Sequence, residues 1–221
     1  MSVPSRKHHV KLALIILSLF VGVAGFVLYF GVVRPYQQLH SAHAVTIDGV
    51  VLDSPQSVTD FHLTDHNGNS FSKKNLKGQW TLLFFGFTNC GMVCPTTLAA
   101  LNNMYHILQR ELPDNELPQV VMISVDPERD SVERMKEYIA AFNPHFIGAR
   151  GETAEINALE KQLHIVAVKM QAEGQSQNQY TINHSAEIML FNPEGMLQAF
   201  LSYPHKAEQM AKDYKAVLQL M

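Results

Sequence analysis

Cysteine is scarce in this chain, and acidic residues are missing from its first 47 positions. Only two cysteines occur among the 221 residues, which excludes a small domain held together by many disulfides. A basic run is also missing. All 20 Asp and Glu but only 13 of the 17 Lys and Arg lie beyond Arg34, which gives that part a net charge of −7. An acidic domain without a basic stretch argues against nucleic acid as a partner.

The longest hydrophobic run occupies residues 12–33, which are 22 positions without a charge. As an α-helix this segment would be roughly 33 Å long, enough to cross a hydrocarbon core of about 30 Å. Three basic residues precede the run and one follows it: Arg6, Lys7, Lys11 and Arg34. Because positive charge favours the cytoplasmic side, we predict a transmembrane anchor at 12–33, with residues 1–11 in the cytoplasm and the remainder on the far side.

A cleaved signal peptide is the alternative to this anchor. Ala42 and Ala44 in the stretch SAHA provide an A-x-A pattern. However, the hydrophobic region of a signal peptide is only ~7–15 residues long, and the pattern lies well beyond the end of the apolar run. We therefore favour an uncleaved single-pass anchor in a bacterial inner membrane, a tether at 34–57 and a folded domain at 58–221 in the periplasm or an equivalent exported compartment. Both interpretations export the domain.

The pattern of the exported part predicts an α/β domain. Residues 80–87 and 120–127 are nearly continuous apolar runs, typical of strands covered on both faces. The predicted order is a hairpin, then β-α-β-α-β-α, then an antiparallel hairpin and a final helix, which indicates a layered fold with a mixed sheet. Asp130 followed by Glu133 resembles a capping box and predicts a helix start at Asp130.

The two cysteines, Cys90 and Cys94, lie in the stretch FFGFTNCGMVCP, just after the first buried strand. Open α/β sheets place their functional sites at this end of a strand. Pro95 can occupy the first turn of a following helix, where its missing N–H costs nothing. A disulfide here would close a ring of only a few residues and stabilise the fold little. The position instead favours a reactive or metal-binding pair.

Two interpretations of the pair remain open from the residues alone. Cys94 lies near a helix N-terminus, which favours its thiolate, and a strand–Cys–helix unit resembles the thioredoxin superfamily. That superfamily uses C-x-x-C, whereas this chain has C-x-x-x-C. The extra residue lets the two sulfurs spread, which suits a chelate for a soft ion such as Cu(I).

A third ligand would have to come from elsewhere in the fold. Among the 11 histidines, His184 differs because it directly precedes a predicted buried strand. In a thioredoxin fold this is where a loop carrying a cis-proline meets the cysteine turn. This chain has no proline between Pro144 and Pro193, so that substrate-docking element is missing.

Three motifs in this order resemble the Sco/SenC family of copper chaperones for cytochrome oxidase assembly: GFTNCGMVCP, then VDPERDS at 125–131, then NHS at 183–185. The resemblance covers roughly residues 45–221. It implies a thioredoxin-like three-layer fold with a mixed central sheet. It further implies that Cys90, Cys94 and His184 bind copper as Cu(I), with Cu(II) as a second state. The implied partner is subunit II of cytochrome c oxidase, whose binuclear copper site would receive the ion.

The same resemblance leaves an alternative function open. The protein would then be an exported thiol–disulfide reductase that keeps the copper-site cysteines of the oxidase reduced, with Cys90 as the attacking thiol and Cys94 as its partner. No enzymatic activity other than this exchange is implied. The missing cis-proline and the gap of three residues count against it.

Two positions depart from the family pattern. Gly91 stands where the family usually has proline, which makes the loop more flexible. Asn183 replaces an Asp beside the histidine, which removes a negative charge and would weaken Cu(II) relative to Cu(I). We also expect Asp126 to cap the turn at Pro127, with a role in supporting the site as the alternative that the resemblance implies. Phe87 is expected to lie in the core beside the site, and Met92 to be an exposed contact rather than a ligand.

Overall fold

The apolar segment near the start of the chain forms one helix in the computed structural model, which describes residues 6–34, 47–171 and 180–219. α1 spans Arg6–Leu28 and continues as one π-helical segment, Tyr29–Val33. Within it, Ile16–Val33 has a mean hydropathy of 2.4 and is long and apolar enough to cross a membrane. The chain divides into two compact units, Met1–Ala44 and Val45–Met221, and we describe each by itself. Residues 35–46 of the predicted tether, with the A-x-A pattern, lie outside the described residues.

The second unit is built on a mixed sheet. Its strands are β1 Gly49–Ser57, β2 Leu63–Asp65, β3 Ser70–Phe71, β4 Thr81–Gly86, β5 Gln119–Ser124, β6 Ile147–Arg150, β7 Ala167–Met170, β8 Thr181–His184, β9 Ile188–Phe191 and β10 Met196–Leu201. Eight of them follow the order β1-β10-β9-β4-β5-β6-β2-β3, with β4, β5 and β6 parallel to one another and the other neighbours antiparallel. β7 and β8 form a separate antiparallel pair.

Helices cover both faces of this sheet. They are α2 Val93–Glu111, α3 Val132–Ala140, α4 Thr153–Gln162 and α5 Ala207–Leu218. Every residue of β4 is buried, and its side chains alternate between the faces. Leu82 and Phe84 join the core formed with α2, α3 and α5, whereas Leu83 and Phe85 join the core that includes α4. The predicted three-layer, thioredoxin-like fold with a mixed central sheet is confirmed.

The folded domain begins earlier than the predicted boundary at residue 57. Residues 49–57 form β1, which pairs with β10 at the edge of the sheet. The pairing starts at Gly49, which lies opposite Leu201. The sequence shows only weak strand character here because edge strands are half exposed and carry few apolar residues. The assignment of residues 49–57 to a tether is therefore wrong.

The predicted cap of α3 is also wrong by one residue. Ser131 is the N-cap, and its hydroxyl accepts a hydrogen bond from the backbone N–H of Arg134. The carboxylate of Asp130 is fully buried and turns inward, where it accepts hydrogen bonds from Thr88 and Ser124. The hydroxyls of Thr88 and Ser124, which are 42 and 6 residues away in sequence, thus bind the carboxylate of Asp130 in place of the N–H groups at the start of α3.

Candidate metal centre

The cysteine loop connects the buried strand β4 to α2 and so lies at the carboxyl end of the sheet's central strand. The backbone N–H of Cys90 donates to the carbonyl of Phe87 at 3.2 Å, which tightens the turn. Cys94 is the second residue of α2, and its backbone N–H points at Cys90 Sγ at 3.4 Å. Pro95 lies in the first turn, as predicted. The unpaired N–H groups of the helix start therefore stabilise charge on the sulfur of Cys90.

The two sulfurs have opposite environments. Cys90 is half-buried and Cys94 is buried, with an exposed fraction of 1%. A hydrogen bond from the Cys94 thiol lowers the pKa of Cys90 well below its usual value. The same hydrogen bond, together with burial, raises the pKa of Cys94. We expected the helix N-terminus to favour the thiolate of Cys94, and that prediction is wrong because the helix donates to the sulfur of Cys90.

His184, the last residue of β8, is brought to this pair from 90 residues away in sequence. Its Nε2 lies 3.6 Å from Cys94 Sγ, and its Nδ1 donates to the carbonyl of Ser185 at 2.7 Å. The Ser185 contact fixes the ring and directs Nε2 toward the sulfurs, as for histidine ligands of metals. Burial opposes the imidazolium, but hydrogen bonds to Cys90 and Ser185 outweigh it and raise the pKa of His184. A metal at Nε2 would displace this proton.

Cys90, Cys94 and His184 thus bring two sulfurs and one nitrogen within 4.8 Å of one another. Among the residues that the structure describes, this is the one group of three or more such side chains placed to hold a metal ion. Two thiolates and one imidazole form a soft donor set that suits Cu(I). The ring of Phe87 meets His184 edge-on, with centroids 5.9 Å apart, and shields the inner side of the site.

The two departures from the family pattern, Gly91 and Asn183, are not among the three side chains of this group. A side chain added at Gly91 would meet no atom within 4 Å, so space does not require glycine there. Asn183 is exposed and pairs with Val168. Because neighbouring strand residues point to opposite faces, the Asn183 side chain points away from the face that carries His184. Met92 is 72% exposed, as expected.

Of the residues that support the site, the family resemblance pointed only to Asp126, and sequence reasoning missed Thr88, Arg129, Asp130 and Tyr180. Asp126 does not cap the turn with its side chain; its carboxylate accepts hydrogen bonds from Arg129 and Tyr180. Asp130 holds Thr88, two residues before Cys90, through both its backbone N–H and its hydroxyl. The motif VDPERDS contains three of these residues, but the sequence does not show which side chains each of them contacts.

Alkylation of the reduced, metal-free protein tests the asymmetry of the sulfurs. Because the lowered pKa of Cys90 keeps a thiolate at neutral pH, we expect its alkylation rate by iodoacetamide to change little between about pH 8 and about pH 6. An ordinary thiol slows about tenfold per pH unit in that range. Mass spectrometry of the Cys90 peptide measures the rate. In Cys94→Ala the donating thiol is lost, the pKa of Cys90 rises and the pH dependence returns. A tenfold slope in the unmodified chain would contradict the assignment.

The fold and the site together define a thioredoxin-like domain in which a cysteine turn and an opposing histidine bring together three side chains that could hold a metal ion. The family model for SCO1/SenC matches residues 51–219, and the chain belongs to this family. Human protein SCO2 homolog, a mitochondrial protein, is 37% identical over 153 residues, which are 69% of this chain and 56% of that protein. The zebrafish SCO2 homolog is covered to 55%, so the chain spans little more than half of these relatives.

A bacterial relative aligns over nearly its whole length. The SCO2-like protein of Rickettsia prowazekii is 30% identical over 202 residues, 91% of this chain and 94% of that protein. Among solved structures, Bradyrhizobium japonicum ScoI with copper bound is 35% identical, with a TM-score of 0.63, covering 71% of this chain and 96% of that one. Arabidopsis thaliana ScoI with copper bound is 30% identical, with a TM-score of 0.67, covering 73% and 98%.

Proposed function

We propose that this protein is a membrane-anchored copper metallochaperone that binds Cu(I) through Cys90, Cys94 and His184. The observation that carries the proposal is the convergence of two sulfurs and one imidazole nitrogen within 4.8 Å at the end of the central strand. Similarity to ScoI proteins whose structures contain copper supports the choice of metal.

Delivery of the ion follows from the coordination number. Three ligands leave one side of a Cu(I) ion open, and a ligand of the acceptor can enter there before a protein ligand leaves. Cys90 is the half-exposed member of the pair, so the acceptor approaches from its side. Membership of the SCO1/SenC family supports the binuclear copper site of cytochrome c oxidase subunit II as the acceptor.

The anchor belongs to the same proposal. The helical segment Ile16–Val33 spans the membrane, residues 1–11 lie in the cytoplasm, and the copper-binding domain lies in the periplasm or an equivalent exported compartment. The length and hydropathy of the helix and the basic residues that precede it support this orientation. The arrangement keeps the site near membrane-bound acceptors.

A His184→Ala substitution tests the ligand set. The reduced full-length chain in detergent is titrated with Cu(I) against a chromophoric Cu(I) chelator. We expect the variant to lose at least about tenfold in affinity, because even residues that only support a ligand contribute about 10–100-fold. His106→Ala, at an exposed position of α2, is the matched control and should bind as the unmodified chain does. Unchanged affinity and an unchanged copper spectrum in His184→Ala would refute the assignment.

The state of Cys90 favours a second candidate function, reduction of a target disulfide. Its thiolate would attack one sulfur of the target, and Cys94 would then displace the target thiolate to leave a Cys90–Cys94 disulfide, a transfer of two electrons. The two functions differ in their use of His184. Copper binding needs it as a ligand, whereas exchange uses it only through a hydrogen bond that, next to the one from Cys94, lowers the pKa of Cys90. The rate of exchange in His184→Ala, measured at a pH where Cys90 is a thiolate in both chains, therefore separates them.

A further inference from the structure

His184 lies on a two-stranded hairpin, whereas the two cysteines follow a strand of the main sheet. β7 and β8 pair with each other and form no ladder with the eight-stranded sheet. Cys90 and Cys94 follow β4, a central strand of that sheet. Pairing of β7 with β8 therefore does not by itself set the distance between His184 and the two sulfurs. Residues 185–187 connect His184 to β9, and side-chain contacts at the loop end of the hairpin hold the start of β8 against the domain.

Tyr180, which directly precedes β8, makes such contacts. Side chains two residues apart on a strand share a face, so Tyr180 and Ile182 point to the same side as His184. The hydroxyl of Tyr180 donates to Asp126 Oδ1 at 2.5 Å and lies 3.3 Å from Glu128 Oε2. Its backbone carbonyl accepts from Arg129 Nη1 at 3.0 Å. Residues 126–129 thus hold both the side chain and the backbone at the start of the strand that ends in His184.

Arg129 connects this contact to the cysteine loop. Its guanidinium carbon lies 3.6 Å from the ring centroid of Tyr180 and 6.0 Å from that of Phe87. Phe87 is the residue whose ring meets His184 edge-on. Arg129 Nε is paired with the buried carboxylate of Asp126 at 2.5 Å, which fixes the position of the guanidinium against the ring of Tyr180. Cation–π contacts of a partly desolvated Arg are among the stronger ones.

A second cation, Lys169, also contacts the ring of Tyr180. Lys169, on β7, places its Nζ 3.7 Å from the ring centroid of Tyr180 and 2.8 Å from Glu128 Oε2. Lys169 and Glu128 are largely exposed, with side-chain exposures of 45% and 64%, so this ion pair contributes little by itself. The strong contacts are those of the less exposed group, Asp126, Arg129 and Tyr180.

We propose that Asp126, Arg129 and Tyr180 form a clasp that positions His184 over the cysteine pair. The proposal rests on the proposed copper site and extends it to residues that do not touch the ion. Arg129 and Tyr180 are positioning residues, because they act on His184 through the hairpin. The clasp also gives a role to the segment VDPER of the second sequence motif. When it is broken, the hairpin still folds but holds Nε2 near the sulfurs for a smaller fraction of the time.

The test compares the full-length chain with Arg129→Ala, Tyr180→Phe, His184→Ala and the double variant Arg129→Ala/His184→Ala. We expect Arg129→Ala to lower Cu(I) affinity by about 10–100-fold, as loss of a residue that orients a ligand does. Tyr180→Phe keeps the ring under the guanidinium and removes only the hydroxyl, so we expect Cu(I) affinity to fall less than in Arg129→Ala. The double variant should bind no more weakly than His184→Ala, because the clasp acts only through that residue. Lys215→Ala, which breaks a distant ion pair with Glu111, should have no effect.

A measurement without copper makes the clasp testable even if the metal assignment fails. In the metal-free chain, amide hydrogen exchange of β8 should speed up at least about tenfold in Arg129→Ala, while exchange of β4 and β5 stays unchanged, since local opening is independent of global unfolding. Unchanged exchange of β8 would overturn the clasp. So would a double variant weaker than His184→Ala by the full factor of Arg129→Ala, which would place the effect elsewhere. An unmodified chain that binds no Cu(I) would instead refute the proposed function, and exchange alone would then decide the clasp.

Discussion

Cys90→Ala is expected to abolish tight Cu(I) binding by the reduced full-length chain. The substitution removes one of the two soft donors and leaves Cys94 and His184, which cannot form a chelate of two thiolates. Cys90 is also the thiol whose pKa is lowered, so it supplies the anionic ligand at neutral pH. We expect an affinity loss well beyond the about 10–100-fold that follows from losing a supporting residue. Competition with a Cu(I) chelator measures it.

The fold itself should tolerate this substitution. Cys90 is half-buried, and its tight contact with Phe87 uses the backbone N–H, which alanine keeps. Met92→Ala is the matched control, since Met92 lies between the two cysteines and is exposed. It should bind copper as the unmodified chain does. If Cys90→Ala retained stoichiometric binding at full affinity, or Met92→Ala lost it, the ligand set would have to be revised.

Asp130→Ala is expected to have a large effect on stability. The fully buried carboxylate accepts hydrogen bonds from the hydroxyls of Thr88 and Ser124, each at 2.6 Å, and from the backbone N–H of Thr88 at 3.2 Å. Alanine leaves the buried hydroxyl of Ser124 and the half-buried N–H and hydroxyl of Thr88 without this acceptor. Because each such buried group costs about 1–3 kcal/mol, we expect the free energy of unfolding to fall by about 3 kcal/mol.

Urea unfolding of the reduced, metal-free chain in detergent measures this loss. Trp80, the single tryptophan, is buried directly before β4 and reports on the domain by fluorescence. Asp130→Asn keeps one acceptor oxygen and should lose less than alanine does. Asp114→Ala removes an exposed acid from a surface turn and should leave the midpoint unchanged. An Asp130→Ala chain that unfolds at the same urea concentration as the unmodified chain would show that the hydrogen bonds contribute nothing net.

Much of the fold could be predicted because its elements have strong local patterns. The apolar run at 80–87 predicted β4, and all six residues of that strand are buried. The proline after the second cysteine predicted the start of α2 within two residues. The edge strand β1 shows only weak strand character in the sequence and was assigned to the tether, because it alternates weakly and depends on pairing with β10, far along the chain. The pattern of residues 49–57 by itself does not show that β10 pairs with them.

The candidate site shows the same division. The resemblance to the Sco/SenC family implied Cys90, Cys94 and His184 as metal ligands, and the structure brings these three side chains together. The choice between the sulfurs was not readable. Proximity to a helix N-terminus pointed to Cys94, but the burial of Cys94 and the direction of its N–H make Cys90 the favoured thiolate.

The sequence by itself determined the apolar helix and the layered α/β domain, and the family resemblance of its motifs singled out the two cysteines and His184. Only the tertiary structure decided which sulfur is exposed, which donors the carboxylate of Asp130 binds, and which side chains contact the hairpin that carries His184. The physical reason is the range of the interactions. Periodicity and motif chemistry act over a few residues, whereas burial and hydrogen bonding join Thr88 to Asp130, and Asp126 to Tyr180 over 54 residues.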